Sequence, residues 1–492
     1  MNSTHIVIIG SGLGGLASGV LLASEGFRVT ILEKNKAPGG CLRSDTQNGF
    51  RFNFGAEIIT APFLFDQLFE KAGRNRKDYF EFQPFDPVFQ AIFPGGRRFA
   101  FFNDPAMTSQ MNGLFSPADQ ASFLTYCEEN DKVFNEIFFD TYASPLSAAP
   151  LFPWGKRFPG WNNAELANRL EGEEIRRLFN CWPLLAGGNP KESSNLDRVI
   201  PAIFNRWGAW IPVGGMKTLV DALVSLFLES GGEIFYETEV QELQIFNRRV
   251  SGVRLSDGSI QHADIVLSNA DVLTTSLNLI DSDQTRYADT ERAKKLEPGT
   301  SVFVYHLGLN CILEEKLSLA GNNFIFPEKY EGFLTELFEY KQLSADPFFL
   351  LRVPSKNDPY ASPPGCQSLS VVAPVPNLSG KIEWAQASFR FRNRILDLIQ
   401  PYFLTDLRTH MIFETFMDPH QLEEKNGSYL GAAFSIRPGN YHRPISRFPH
   451  RSGDIRNLYY VGAGTHPGPF VPGVLLGVNL AVKAIKEDFS SE

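Results

Sequence analysis

Hydrophobic positions along this chain are most regular near its two ends. His5-Ile6-Val7-Ile8-Ile9 is a short β-branched run without polar alternation, the pattern of a strand buried on both faces of a parallel sheet. A stretch of small and apolar residues over 16–24 predicts a helix that Gly26 ends, and 27–32 predicts a second strand reaching Glu33. Further on, apolar spacing predicts an amphipathic helix over 219–228. Gly231-Gly232 then turns into a strand that runs towards Val240. Residues 250–255 and 260–267 read as alternating strands around the turn signal Asp257-Gly258. Near the C-terminus, 457–461 reads as a strand, and Val471-Pro472-Gly473-Val474 opens a last helix running to about Lys486. Between these ends the pattern loosens. Residues 60–200 are rich in Phe and Pro, with helical spacing over 121–139 and an irregular aromatic, proline-punctuated stretch over 144–159. No internal repeat or low-complexity tract occurs.

The glycines between the first strand and helix carry the first chemistry. In Gly10-Ser11-Gly12-Leu13-Gly14-Gly15, Gly10 allows a tight turn, Gly12 lets backbone approach a pyrophosphate, and Gly15 lets the helix pack on the strand. The helix N-terminus directs N–H groups and the positive end of its dipole at phosphate oxygens. Glu33, about 20 positions beyond the glycines, is placed to accept ribose hydroxyls. Strand, glycines, helix, strand and acid together predict a dinucleotide-binding unit. A second glycine-rich turn, Gly462-Ala463-Gly464-Thr465-His466-Pro467-Gly468, joins strand to helix near the other end of the chain. It offers backbone N–H groups in the same way, and two such turns suit the two halves of one long dinucleotide.

Composition narrows the partners. Lys and Arg number 46 against 55 Asp and Glu, and the net charge of −9 leaves no electrostatic footprint for nucleic acid. The pairs Arg97-Arg98 and Arg248-Arg249 read as solvated loop ends. Five cysteines, at 41, 127, 181, 311 and 366, form no C-x-x-C pair, and the eight histidines show no metal-ligand spacing. Neither a disulfide framework nor a bound metal is expected, and a reducing compartment fits. No secretory signal is expected, and nowhere do 18 consecutive apolar residues occur, so the chain is expected to be soluble or to lie on a membrane without crossing it. In the 144–159 region, Phe152, Trp154 and Trp161, with Lys156-Arg157 at headgroups, form either a packed surface loop or an interfacial anchor. Phe, with 43 copies against 14 Tyr and 6 Trp, suits either a large apolar core or an apolar ligand tunnel.

The segment after Glu33 adds Gly39-Gly40-Cys41-Leu42-Arg43, which resembles the extended fingerprint of FAD-dependent oxidoreductases. With Leu185-Ala186-Gly187-Gly188-Asn189-Pro190, Trp207-Gly208-Ala209-Trp210-Ile211-Pro212-Val213-Gly214-Gly215, Ser268-Asn269-Ala270-Asp271, Ala373-Pro374-Val375-Pro376-Asn377-Leu378 and the Val461–Gly468 block, the chain resembles the bacterial phytoene desaturases end to end. These carotenoid oxidoreductases belong to the amine-oxidase-like FAD superfamily. The resemblance implies an α/β fold: a discontinuous Rossmann-type FAD-binding domain (1–72, 200–272 and 424–492) and a substrate domain (73–199 and 273–423) of mixed sheet plus a helical, membrane-facing part. It implies a non-covalent FAD enzyme lying peripherally on the cytoplasmic face of a membrane. Such an enzyme draws a long polyene into a tunnel, removes hydride and proton from saturated C–C bonds, and passes electrons to a quinone or oxygen.

By the same resemblance Gly10, Gly12, Gly15, Glu33, Gly40, Arg43 and Val240 contact the pyrophosphate, ribose and adenine side of FAD, and Gly462, Gly464, Thr465 and Val474 its flavin end. Three departures stand out. Cys41 occupies the place where the family usually has arginine, with Arg43 as the substitute on offer. Glu57 stands in a segment usually reading Gly-Pro-Thr, and Pro469-Phe470 replaces a small pair. Glu57 is either a carboxylate with raised pKa beside an apolar tunnel, able to exchange a proton, or the partner of an arginine such as Arg51. His466 is either a second catalytic group or a hydrogen-bonded residue shaping the flavin loop. Related chemistries share these motifs: carotenoid isomerases, terminal carotenoid oxidases and, more distantly, flavin amine oxidases. A non-catalytic prenyl-binding escort protein of similar fold has no need of the intact glycines.

Overall fold

The computed structural model describes residues 4–102, 116–121, 124–125, 127–128, 131, 171–192, 199–281, 287–438 and 447–489. Most of the helix expected over 121–139, and the whole aromatic segment 144–161, lie outside the described residues.

Strand His5–Ile9 is the centre of a five-stranded parallel sheet in the order Leu458–Tyr460, Ile265–Ser268, His5–Ile9, Arg28–Leu32, Glu233–Phe235. Ile6 and Ile8 pack against helices Leu13–Ser24, Met216–Glu229 and Val471–Phe489. Val7 and Ile9 pack on the other face, against an antiparallel meander of Val240–Phe246, Arg249–Leu255 and Ile260–His262. Burial on both faces is why the run is unbroken by polar residues. Register pairs Ile9 with Leu32 on one side and with Ser268 on the other, and Ser268 with Tyr460. The carboxyl ends of four strands are thereby level, and the chain reverses its direction of travel across the sheet between His5–Ile9 and Ile265–Ser268. In open parallel sheets that reversal opens the ligand crevice.

Three elements differ from expectation. The strand expected to run towards Val240 ends at Phe235 in the parallel sheet, and Val240 opens a separate strand of the meander. The first helix starts at Leu13, so Gly14 and Gly15 lie within its first turn. The strand expected over 260–267 is two strands, broken at Ala263-Asp264. The first closes the meander and the second returns to the parallel sheet. The apolar alternation is common to both, so periodicity alone does not show the change of sheet.

A second, seven-stranded mixed sheet runs in the order Met411–Met417, Ser301–Leu309, Gln367–Val375, Phe349–Arg352, Asn322–Ile325, Phe89–Ile92, Arg98–Phe101. Helix Trp384–Ile399 covers part of one face. Phenylalanine fills its packing: Phe89 stacks on Phe101 at 4.9 Å and meets Phe324 at 4.7 Å, within a cluster that includes Phe85, Phe99 and Trp182. Many of the phenylalanines are therefore ordinary core. Among the described residues no helix is long and apolar enough to cross a membrane.

Candidate functional site

The N-terminal glycines form the turn their sequence predicts. Gly10, at φ +90°, donates its N–H to the Leu32 carbonyl at 2.8 Å, and a Cβ on Gly15 would lie 2.1 Å from the Gly10 carbonyl oxygen. No heavier residue fits at Gly15. Gly12 caps the helix without a side-chain hydrogen bond, and no acidic residue lies in the first turn. These N–H groups are open to an anion. Glu33 is buried at the end of its strand. Its Oε2 accepts the Ser11 N–H at 2.9 Å and the Ser11 hydroxyl at 2.6 Å, while its Oε1 accepts the Asn35 N–H at 2.9 Å and the Asn35 amide at 2.8 Å. Four donors fix the carboxylate in orientation. Thr238 donates its N–H to the Glu33 carbonyl at 2.8 Å, which brings Val240, the first residue of its strand, beside the acid.

A strap crosses this turn. Gly39 donates to the Ser11 carbonyl at 3.0 Å, and a Cβ on Gly40 would lie 3.2 Å from the Gly12 Cα. The Cys41 and Arg43 carbonyls accept Ala56 N–H at 2.9 Å and Phe54 N–H at 3.1 Å, so residues 54–56 hang from the strap. Exposed Cys41 receives the Asn426 amide at 3.7 Å. The Arg43 guanidinium lies over the Phe54 ring, 5.8 Å from its centroid.

Glu57 follows at once, and it lines a small cavity. It is paired with Arg352, both almost fully buried, and Arg352 Nε donates to Asn322 Oδ1 at 2.9 Å. Burial lowers the guanidinium to about 9, which leaves it cationic at neutral pH. Arg51, the partner expected for Glu57, instead meets Asp358 at 3.5 Å and the Gly214 carbonyl. Both ion pairs line this cavity together with Phe85, Ile211 and Asn357, whose Oδ1 has no hydrogen-bond partner among the described residues.

At the C-terminal turn Gly462 has φ +123°, and a Cβ on Gly464 would lie 2.4 Å from Val272. Thr465 is buried and its hydroxyl donates to the Gly462 carbonyl at 2.8 Å. His466 is buried, its N–H donating to the Phe448 carbonyl at 3.0 Å; beside it lies His450, which burial pushes down to about 4. Val474 sits in the first turn of the last helix, packed against the helical core. His466 and Glu57 belong to different neighbourhoods, the one with Phe448 and His450, the other with Arg352 and Asn322. Asn269, to which sequence reasoning gave no role, stands between the two glycine turns. Its only signal was membership of Ser268-Asn269-Ala270-Asp271.

Two glycine turns at one crevice, an uncapped helix N-terminus and a buried, oriented acid fit a dinucleotide laid across the carboxyl ends of the parallel strands. Comparison with known proteins agrees. A family model described as flavin containing amine oxidoreductase matches residues 13–484. A phytoene desaturase (lycopene-forming) of Pseudescherichia vulneris is 33% identical over 98% of this chain and 99% of its own length. A 4,4'-diapolycopene oxygenase of a Methylomonas species is 29% identical over 99% of this chain and 100% of its own. Among solved structures, an oxidoreductase from Methanosarcina mazei covers 98% of this chain and 100% of its own with a TM-score of 0.68 at 17% identity, a likeness of fold. The chain belongs to the flavin-containing amine oxidoreductases and, within them, to the phytoene desaturase family.

Proposed function

We propose that this protein is an FAD-dependent carotenoid desaturase, acting on phytoene or a downstream carotene. The observation that carries this reading is the 33% identity to a lycopene-forming phytoene desaturase over 98% of the chain. The crevice at the parallel sheet supports it. A saturated CH–CH bond becomes a double bond when one carbon loses a hydride and its neighbour a proton. FAD, when bound, supplies the two-electron acceptor for the hydride, and a quinone or oxygen takes the electrons onward.

The chain's own residues bind and orient. The open N–H groups of the helix's first turn, brought close by the Gly10, Gly12 and Gly15 turn, take the pyrophosphate, and Glu33 takes ribose hydroxyls in exchange for side-chain donors such as the Ser11 hydroxyl. The backbone at Val240 borders the adenine. Gly40 keeps the strap close, Gly462, Gly464, Thr465 and Val474 border the flavin, and Arg43 steadies the strap over Phe54. Once hydride has left, the substrate is a strong acid, so a weak base suffices if it is correctly placed. Glu57, paired with Arg352, is our candidate for that base, and His466 for shaping the flavin turn. We assign 1–72, 200–272 and 424–492 to cofactor binding and 73–199 with 273–423 to the polyene and a peripheral membrane contact.

The test is anaerobic. FAD-loaded protein is mixed with phytoene-containing liposomes, and the long-wavelength flavin band is followed. Bleaching together with new polyene bands is the expected result. A flavin that stays oxidised with phytoene overturns this substrate. The 29% identity to an oxygenase supports a second reading, terminal oxidation, for which bleaching appears only with already desaturated carotenes.

A further inference from the structure

Asn269 stands at the point where the sheet reverses direction. Its backbone N–H donates to the Ile9 carbonyl at 2.9 Å, which holds it beside Gly10. The half-buried side chain touches both glycine turns. A Cβ on Gly12 would lie 2.9 Å from its Nδ2, one on Gly14 2.3 Å from its Oδ1, and one on Gly462 3.5 Å from Oδ1. Gly14 is the telling residue. The dinucleotide fingerprint requires glycine at positions matching 10, 12 and 15, and has no need of one at 14. Glycine inside a helix is also less favourable than alanine. Here the methyl group of alanine would occupy the place of the Asn269 amide. The amide itself is short of partners: Nδ2 carries two donors, and its hydrogen bond to the Gly10 carbonyl is stretched to 3.5 Å.

We propose that Asn269 is a cofactor-binding residue, its amide spacing the two glycine turns and directing an Nδ2–H at the FAD pyrophosphate. The inference rests on the reading of this crevice as the FAD site. A neutral donor at this point adds to the N–H groups of the helix. A carboxylate of the same shape repels the pyrophosphate. Gly14 stays small so that the amide keeps its place.

Two variants test it, read by apo-protein melting and by FAD titration through flavin fluorescence. Asn269→Asp preserves shape and reverses the electrostatics. It is expected to lower apo melting only slightly, because the bond lost to the Gly10 carbonyl is long, and to raise the Kd for FAD by roughly tenfold or more, a loss that shrinks as salt screens the added charge. Gly14→Ala turns the amide aside without changing its chemistry. It is expected to weaken FAD binding while apo melting holds or rises, because alanine favours the helix. Wild-type FAD affinity in both variants overturns the proposal. So does a loss of affinity that only tracks a lower apo melting temperature, since that marks a packing role. Failure of the wild-type protein to take up FAD overturns the underlying reading of the crevice, and the proposal with it.

Discussion

Glu57 and Arg352 lie far apart in sequence, on either side of helix Met216–Glu229, yet form one buried pair. The local sequence around Glu57 offers Arg51 as the nearer cation, and the structure gives that arginine to Asp358 instead. A buried charge left without its partner is expensive, whereas replacing both partners by neutral groups is often tolerated. Arg352→Met is therefore expected to destabilise the protein by about 3–5 kcal/mol, and Glu57→Gln with Arg352→Met to recover most of it. Urea unfolding of the two single variants and the double variant measures the coupling. If Glu57 is the proton acceptor, the double variant folds, binds FAD and fails to form polyene. Desaturation at the wild-type rate in that variant removes Glu57 from the chemistry. The Cys41 departure was visible in sequence, but the stacking of Arg43 on Phe54 was not.

Among elements, the segment 447–452 shows what burial does to a titrating group. His450 lies between strand Leu458–Tyr460 and the last helix, its Nδ1–H donating to the Tyr460 carbonyl at 3.0 Å and its ring 3.3 Å from where a Cβ on Gly477 would stand. Desolvation lowers its pKa to about 4, and that of His306, stacked on Phe52 at 4.7 Å, to about 3. Unfolded histidines take a proton near pH 6.5. Between that pH and about 4 the unfolded chain binds protons that the folded one refuses, so stability falls as pH falls and is flat above pH 7. His450 accounts for up to roughly 3 kcal/mol of this loss. Urea midpoints between pH 7.5 and 4.5 should show a shallower acid slope in His450→Gln than in wild type; equal slopes place the imidazole in solvent. Strands and helices of the parallel sheet were legible because their periods repeat within a few residues. The break at Ala263-Asp264 was not, because both halves share one alternation.

For the whole molecule, the crevice is built from chain ends: Gly10 to Gly15 on one side, Gly462 to Thr465 on the other, Asn269 between them. A ligand held by both couples the termini. FAD at about 100 times its Kd is expected to add about 2.7 kcal/mol of stability, provided it binds only the folded chain. Melting at rising FAD concentration measures this, and hydrogen exchange should show new protection at 10–16 and 462–474 together. A melting temperature indifferent to FAD moves the cofactor elsewhere. Composition had left phenylalanine open between core and tunnel. The rings of Phe101 and Phe324 pack on Phe89, and Phe326 stacks on Phe93, in the second sheet's core, so the excess is not by itself a sign of a tunnel.

What the sequence by itself determined is whatever closes within a dozen residues: the β-branched first strand, the glycine turn, the acid at the end of the second strand, the strand–turn–helix at the C-terminus. Backbone sterics and side-chain period specify these without reference to the rest of the chain. Tertiary structure decided which side chains meet: Arg352 with Glu57, Arg51 with Asp358, Asn269 with glycines from both ends. Those meetings depend on the register of strands distant in sequence, and the order of strands in a sheet leaves no periodic trace in any one of them.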